Sequence, residues 1–286
     1  MEDLETRRNG FDQLGNNYPK AKEVIIEQEN ITGVNCFWFI PENETSKNIT
    51  IFLHGGVFVV GSIQSHASMI SHFSQKLQRR ILFIDYTLAP ENPYPVGLND
   101  IIQVYKKLIE SIPSYKIEFI GDSAGAGLIV SSVGEMLKQN IQLPSKVVFI
   151  SPWISLHGNN PSIEANRNID PILSPEYLKK AAADYSGKTP IEISSPESVL
   201  LTEFLPVLIL VGTNEILLDD SLNFYNEVKL IQDDAVLSIY KDQAHVWPLA
   251  NIYSEASQKA LNEVNEFLNS PDDHHLVEEN ISSSNY

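Results

Sequence analysis

The sequence predicts an α/β fold organised around a mainly parallel sheet, on three observations. Short runs rich in β-branched residues alternate along the chain with longer helical patterns. Several of those runs are apolar almost throughout, as in Val147-Val148-Phe149-Ile150 and Val207-Leu208-Ile209-Leu210-Val211, which suits strands covered on both faces. The chain has 286 residues, 43% of them apolar, enough for one large domain with a full core.

In chain order, strands are predicted at 24–29, 35–40, 49–54, 80–85, 116–121, 146–151, 206–212 and 236–240. Helices are predicted between them near 65–79, 96–111, 124–138, 219–232 and 252–269. Such alternation calls for right-handed crossovers between parallel strands. Two segments break it: residues 1–20 form a polar lead with helical character, and 155–200 carry no convincing strand. Within the second, Ser174 and Pro175 mark a helix start, a hydroxyl cap followed by proline at the first helical position. Tyr177, Leu178 and Ala181 give that helix an apolar face. A helical insertion between two sheet strands is a usual way to build a lid. The tail 271–286, with Ser282-Ser283-Ser284, reads as disordered.

The formal charge of −17 disfavours nucleic acid and anionic membrane surfaces as partners. No stretch reaches the length of a membrane span, and residues 1–23 lack the apolar run of a secretory signal. The four glycosylation sequons, at Asn30, Asn43, Asn48 and Asn280, then read as accidents of composition, and the expected location is the cytoplasm. Cys36 is the only cysteine, so no intrachain disulfide and no cysteine-based metal site can form. Its apolar neighbours mark it as a core residue. No histidine cluster has metal-ligand spacing. Gly187-Lys188-Thr189 imitates the end of a phosphate-binding loop, but Ala182 stands where the first glycine belongs and Pro190 blocks the following helix.

Gly121-Asp122-Ser123-Ala124-Gly125 follows the apolar run ending at Ile120 and opens the helical pattern from 124. A strand-to-helix turn this tight lifts a serine hydroxyl clear of the sheet, and glycines on either side avoid collision. In isolation the pattern also fits a turn that merely permits packing; its strand–turn–helix setting points to a nucleophile. His54-Gly55-Gly56-Val57-Phe58 lies just after the run 49–53. There the backbone N–H groups of Gly55 and Gly56, with that of Ala124, are candidates to hold a developing oxyanion. A serine needs a base further along the chain in this arrangement. His245, His274 and His275 all follow, but the last two sit in the polar tail, whereas His245 directly follows a predicted strand. The loop after 206–212 offers Glu215, Asp219 and Asp220 as the orienting acid. Glu215 stands nearest the strand end, while Asp219 and Asp220 open the next helix, where carboxylates normally cap.

Together, His54-Gly55-Gly56 with Phe58 and Gly61-Ser62, Asp85-Tyr86-Thr87-Leu88-Ala89-Pro90-Glu91, Gly121–Gly125, Ser151-Pro152-Trp153, Glu215–Asp220 and His245-Val246-Trp247 resemble the hormone-sensitive-lipase-like family of α/β-hydrolases. The resemblance is to its bacterial carboxylesterase branch and spans roughly residues 20–270. It implies the α/β-hydrolase fold, with a mainly parallel eight-stranded sheet flanked by helices. It also implies a small helical cap from 1–20 and 155–200 over a catalytic core of 21–154 and 201–270. Cofactor-free hydrolysis of small esters with short to medium acyl chains, often by homodimers, is the implied activity. Ser123, His245 and Glu215 become the triad; Val57, Phe58, Trp153 and Val246 become candidate substrate contacts. Val57 departs from the family, which usually has a third glycine there, and the acid is more often Asp. Two other activities share the machinery or the fold: amide or formamide cleavage by the same triad, and ligand binding without catalysis. Gibberellin receptors exemplify the latter and have lost the histidine that His245 supplies here.

Overall fold

Every predicted apolar run forms a strand in the computed structural model, which describes residues 3–271. The strands are β1 (Val24–Ile31), β2 (Val34–Pro41), β3 (Ile49–Leu53), β4 (Ile81–Ile84), β5 (Ile117–Asp122), β6 (Val147–Ile150), β7 (Val207–Gly212) and β8 (Ala235–Tyr240). They make one sheet in the order β1-β2-β4-β3-β5-β6-β7-β8. β1 pairs antiparallel with β2, through a tight turn in which Thr32 and Gly33 both take positive φ, the geometry favoured by two-residue hairpins. β2 pairs antiparallel with β4, and the other neighbours are parallel.

The helices are α1 (Leu4–Asp12), α2 (Ile63–Leu77), α3 (Val96–Ser111), α4 (Ala124–Lys138), α5 (Pro161–Ala165), α6 (Pro175–Ser186), α7 (Ile191–Ser194), α8 (Leu218–Lys229), α9 (Trp247–Ala250) and α10 (Glu255–Asn269). Two start elsewhere than the periodicity suggests, because a cap decides. Ser62 accepts from Gln64 N–H while Ser65 Oγ accepts from Ser62 N–H, so α2 begins early. Ser254 accepts from Ser257 N–H, so α10 begins after a turn at Ile252–Tyr253. Ser174 caps α6 as its sequence suggests, accepting from Tyr177 N–H at 3.2 Å.

Alternate residues of the central strands feed two cores. Ile51, Leu53, Phe119, Phe149 and Ile209 pack toward α3, α4 and α8. Phe52, Ile120, Val148, Leu208 and Leu210 pack in a second cluster with Phe73, Val264 and Phe267 from α2 and α10. Strands covered on both faces in this way account for the continuous apolar runs. Among the described residues, segment 155–200 contains α5, α6, α7 and a short 3-10 turn but no strand, and α1 runs into another 3-10 turn at Gln13–Asn16. No helix among the described residues is long and apolar enough to cross a membrane. The predicted disordered tail lies, beyond Pro271, outside the described residues.

Candidate active site

The parallel strands β3, β5, β6, β7 and β8 end on one side, and the loops leaving them bring the chemistry-bearing side chains together. Ser123 sits between β5 and α4 with φ 50° and ψ −119°. A side chain is strained in that region and stays there only when its surroundings compel it. Ser123 N–H donates to Ile150 O at 2.9 Å, and Ser123 O accepts from Trp153 N–H at 3.1 Å. Gly125 lets the turn close, since a Cβ there would collide with the carbonyl oxygen of Leu53.

His245, on the loop after β8, places Nε2 2.9 Å from Ser123 Oγ and Nδ1 2.9 Å from Glu215 Oε2. Glu215 is fully buried on the loop after β7, and its other oxygen accepts from Ser151 Oγ at 2.8 Å and Gly212 N–H at 2.5 Å. Bonds to both oxygens hold the carboxylate aimed at the imidazole. His245 Nδ1 therefore carries the proton, and Nε2 is left free to accept from the serine hydroxyl. Burial pulls the imidazole down, but the bond to Glu215 and its charge, with Asp170 and Asp122 beyond, leave His245 above the usual histidine range.

The loop after β3 faces this line. Gly56 takes φ 111°, and a Cβ on it would collide with Val60 O; its own carbonyl closes the turn by accepting from Val59 and Val60 N–H at 3.0 and 2.9 Å. Val57 and Phe58 follow with φ 52° and 64°, two side-chain-bearing residues in the left-handed region in succession. Behind them His54 lies against Tyr86, with ring centroids 4.3 Å apart, and its Nδ1 donates to Gly55 O at 2.6 Å. Burial and the neighbouring His66 push His54 down to about 3, so it supports the loop as a neutral donor. Tyr86 OH donates to His54 O at 2.7 Å, which ties the segment 85–91 to the glycine loop.

The four candidate substrate contacts are buried side chains. Phe58 is the middle of an aromatic stack, 3.9 Å from Tyr185 and 5.3 Å from Trp153 by ring centroids. Trp153 donates its indole N–H to Ser155 O at 3.0 Å. Val246 N–H donates to Ser151 Oγ at 3.0 Å. Ser151 thus bridges Glu215 and the residue after His245; read from sequence it was only part of a motif, and a Ser-Pro pair ending a buried strand was its one signal. Asp219 and Asp220 depart from the expected capping of their own helix, whose N-cap is Leu217. Asp219 instead accepts from Ser162 N–H at 2.7 Å, at the start of α5, and Asp220 accepts from Ile154 and Ser155 N–H and from Asn160. A cleft of about 520 Å³ lies beside the glycine loop, bordered by Arg8, Asp12, Ser62, Asp85 and Glu91, and none of Ser123, His245 or Glu215 lines it. Among the described residues no group of His, Cys, Asp or Glu side chains could hold a metal ion.

A serine, a histidine and a buried carboxylate joined in line at a strand-to-helix turn define the hydrolase class of α/β proteins. The chain belongs to the α/β hydrolase fold family, whose model matches residues 50–249. An esterase of Acinetobacter venetianus is 29% identical over 267 residues, covering 92% of this chain and 88% of that one. An acetyl-hydrolase of Streptomyces hygroscopicus is 28% identical, covering 81% of this chain and 78% of its own. The crystal structure of an esterase from the bacterial hormone-sensitive lipase family superposes with a TM-score of 0.89 at 29% identity, covering 94% of this chain and 91% of that one.

Proposed function

We propose that this chain is a serine carboxylesterase that hydrolyses short- to medium-chain acyl esters through Ser123, His245 and Glu215. One observation carries the reading: the unbroken line of bonds from Ser123 Oγ through both nitrogens of His245 to Glu215, each 2.9 Å long. His245 Nε2 takes the hydroxyl proton as Ser123 Oγ attacks the ester carbonyl. Glu215 keeps the imidazole oriented and stabilises its charged form. The N–H groups of Gly55, Gly56 and Ala124 receive the negative oxygen, the last of them at the positive end of α4. The intermediate collapses as His245 gives its proton to the leaving alcohol, and water then releases the acid by the same route.

In this reading residues 1–20 and 155–200 form the cap, and 21–154 with 201–270 form the catalytic core. Val57, Phe58, Trp153 and Val246 shape the floor and wall beside the oxyanion donors. The acetyl-hydrolase name of the Streptomyces relative supports a short acyl group. A homodimer belongs to the same proposal, with β8, the last strand of the sheet among the described residues, where Ile239 is 51% exposed, as a face for a second copy; sedimentation tests it. The cytoplasmic location expected from sequence stands here too, with cell fractionation as its test.

Purified protein should hydrolyse 4-nitrophenyl acetate and butanoate without added metal or cofactor. Ser123→Ala should cost roughly 10³-fold or more in kcat. Equal activity in that variant would overturn the nucleophile. Activity that kept rising through palmitoyl esters would overturn the short-chain preference.

A further inference from the structure

The orienting acid lies on a short loop, and three side chains from the insertion 155–200 grip that loop's backbone. Asn166, just past α5, donates Nδ2 to Thr213 O at 3.1 Å and to Glu215 O at 2.7 Å. Ser162 Oγ donates to Ile216 O at 2.8 Å and accepts from Asp219 N–H at 3.0 Å. Asp170 is 8% exposed and divides its two oxygens. Oδ1 accepts from Ile172 and Leu173 N–H at 2.8 and 3.0 Å, fixing its own turn, and Oδ2 accepts from Ile216 N–H at 2.9 Å, next to Glu215.

All three partners of Asp170 are N–H donors. An ionised carboxylate can accept from all of them, while an amide of the same shape must turn its NH₂ toward one set. The side chain is therefore placed, nearly out of water, against the loop that carries Glu215. Among the described residues, the carboxylates whose charge raises His245 include Glu215 on the loop after β7, Asp122 at the end of β5 and Asp170 from the insertion. Only the last belongs to the segment that closes over the site in the reading above.

Resting on that reading, we propose that Asp170 is a positioning residue through which the insertion governs the triad. It fixes the Glu215 loop at Ile216 N–H, and its negative charge supports the imidazolium that His245 becomes during acyl transfer. The insertion then does more than shape the pocket, because any displacement of the 166–173 turn withdraws both the anchor and the charge.

The test is Asp170→Asn, with the pH dependence of kcat/KM on a 4-nitrophenyl ester as readout and Asp233→Asn, also one charge fewer, as control. Losing a nearby carboxylate disfavours protonated His245, so the acid limb of Asp170→Asn should move to lower pH. Its kcat should fall by about ten- to a hundredfold through misplacement of the acid, with KM changing much less. Asp170→Glu, which keeps the charge on a longer stem, should lose kcat while its acid limb stays where the parent's is. The control should match the parent in both respects. A fall in kcat with the limb unmoved in Asp170→Asn would reduce Asp170 to a structural support and overturn the proposal, as would parental values of both. If Asp170→Asn does not fold, Asp170→Ser is read in the same way; failure of both neutral variants to fold would also overturn it. The underlying reading is tested separately, by fluorophosphonate labelling of Ser123 in the parent. Loss of that labelling would remove the esterase itself, whereas labelling with an unmoved limb would remove only the role of Asp170.

Discussion

Glu215, on the loop after β7, and Asp219, in the first turn of α8, stand four residues apart and make contacts of different kinds. Glu215 meets His245, Ser151 and Gly212, whereas Asp219 reaches the first turn of α5. Glu215→Gln should therefore fold and lose up to about 10⁴ in kcat, while Asp219→Asn should keep its activity and lose about 1 kcal/mol as a weakened cap. Paired rate and thermal-melt measurements check this, and the reverse assignment would follow if the two variants exchanged behaviour. The same pairing sets a pH dependence. His245 must be neutral to accept the serine proton, and Glu215 raises it above the ordinary histidine range. Activity should therefore fall as pH drops through a value above roughly 6.5, and the kcat/KM profile of the parent on a soluble ester shows whether it does. Ser123 and His245 were legible in the sequence because glycine spacing and chain order are local or ordinal signals. The partners of Asp219 and Asp170 were not, since Ser162 and Ile216 lie 57 and 46 residues away along the chain, and a carboxylate at a helix start looks the same whichever helix it caps.

No residue of α1 is fully buried, although Leu4 and Phe11 pack against the core from its edge. Polar bonds tie the helix to the active-site loops as well. Arg8 donates to Val59 O and Ala89 O, each at 3.0 Å, and forms a two-pronged pair with Glu91 at 2.7 and 2.8 Å. Arg7 meets Tyr177 of α6, and Asp12 accepts from Ser62 Oγ at 2.7 Å. One short helix thus touches the glycine loop, the segment 85–91 and the insertion. Because the Glu91 pair is open to solvent, Arg8→Ala should cost only about 1 kcal/mol of stability. Its larger effect should be on rate, with kcat/KM down roughly tenfold as the 56–61 loop loosens around its oxyanion donors; ester kinetics beside a thermal melt separate the two. The sequence indicated a helical lead and a capped helix at Ser174, because capping and periodicity are written locally. It could not indicate that α1 is tied down by arginine, since the acceptors are backbone carbonyls that leave no trace in residue identity.

Across the whole molecule the sheet separates chemistry from support. The proposed catalytic groups gather where the parallel strands end, and the other end of the sheet carries a buried ion pair. Arg79 meets Glu118 at the start of β5, where Asn48 also donates to Glu118 at 2.9 Å, and both charged side chains are 1% exposed. Glu118→Ala would leave Arg79 charged and unpaired in the interior, costing about 3–5 kcal/mol, with kcat of the folded fraction unchanged; denaturant melts and initial rates test that separation. The eight strands and the parallel arrangement were legible because burial on both faces writes continuous apolar runs. The antiparallel start, β1 to β2 to β4, was not, since edge and central strands differ in neighbours more than in composition.

Cys36 faces the core beside Ile84 of β4, fully buried, with its thiol pushed up to about 12 by burial and then by Glu29 and Asp85. It is the only sulfhydryl in the chain, so the native protein should be silent toward Ellman-type reagents and yield a single equivalent once denatured. The buried thiol is thus a built-in clock for global opening, since pulsed alkylation at different denaturant concentrations counts molecules whose sheet has come apart. It also leaves the surface free for a chosen dye. A cysteine placed at Ile172, which is 58% exposed in the turn held by Asp170, could be labelled alone and would report movement of the insertion without a competing signal.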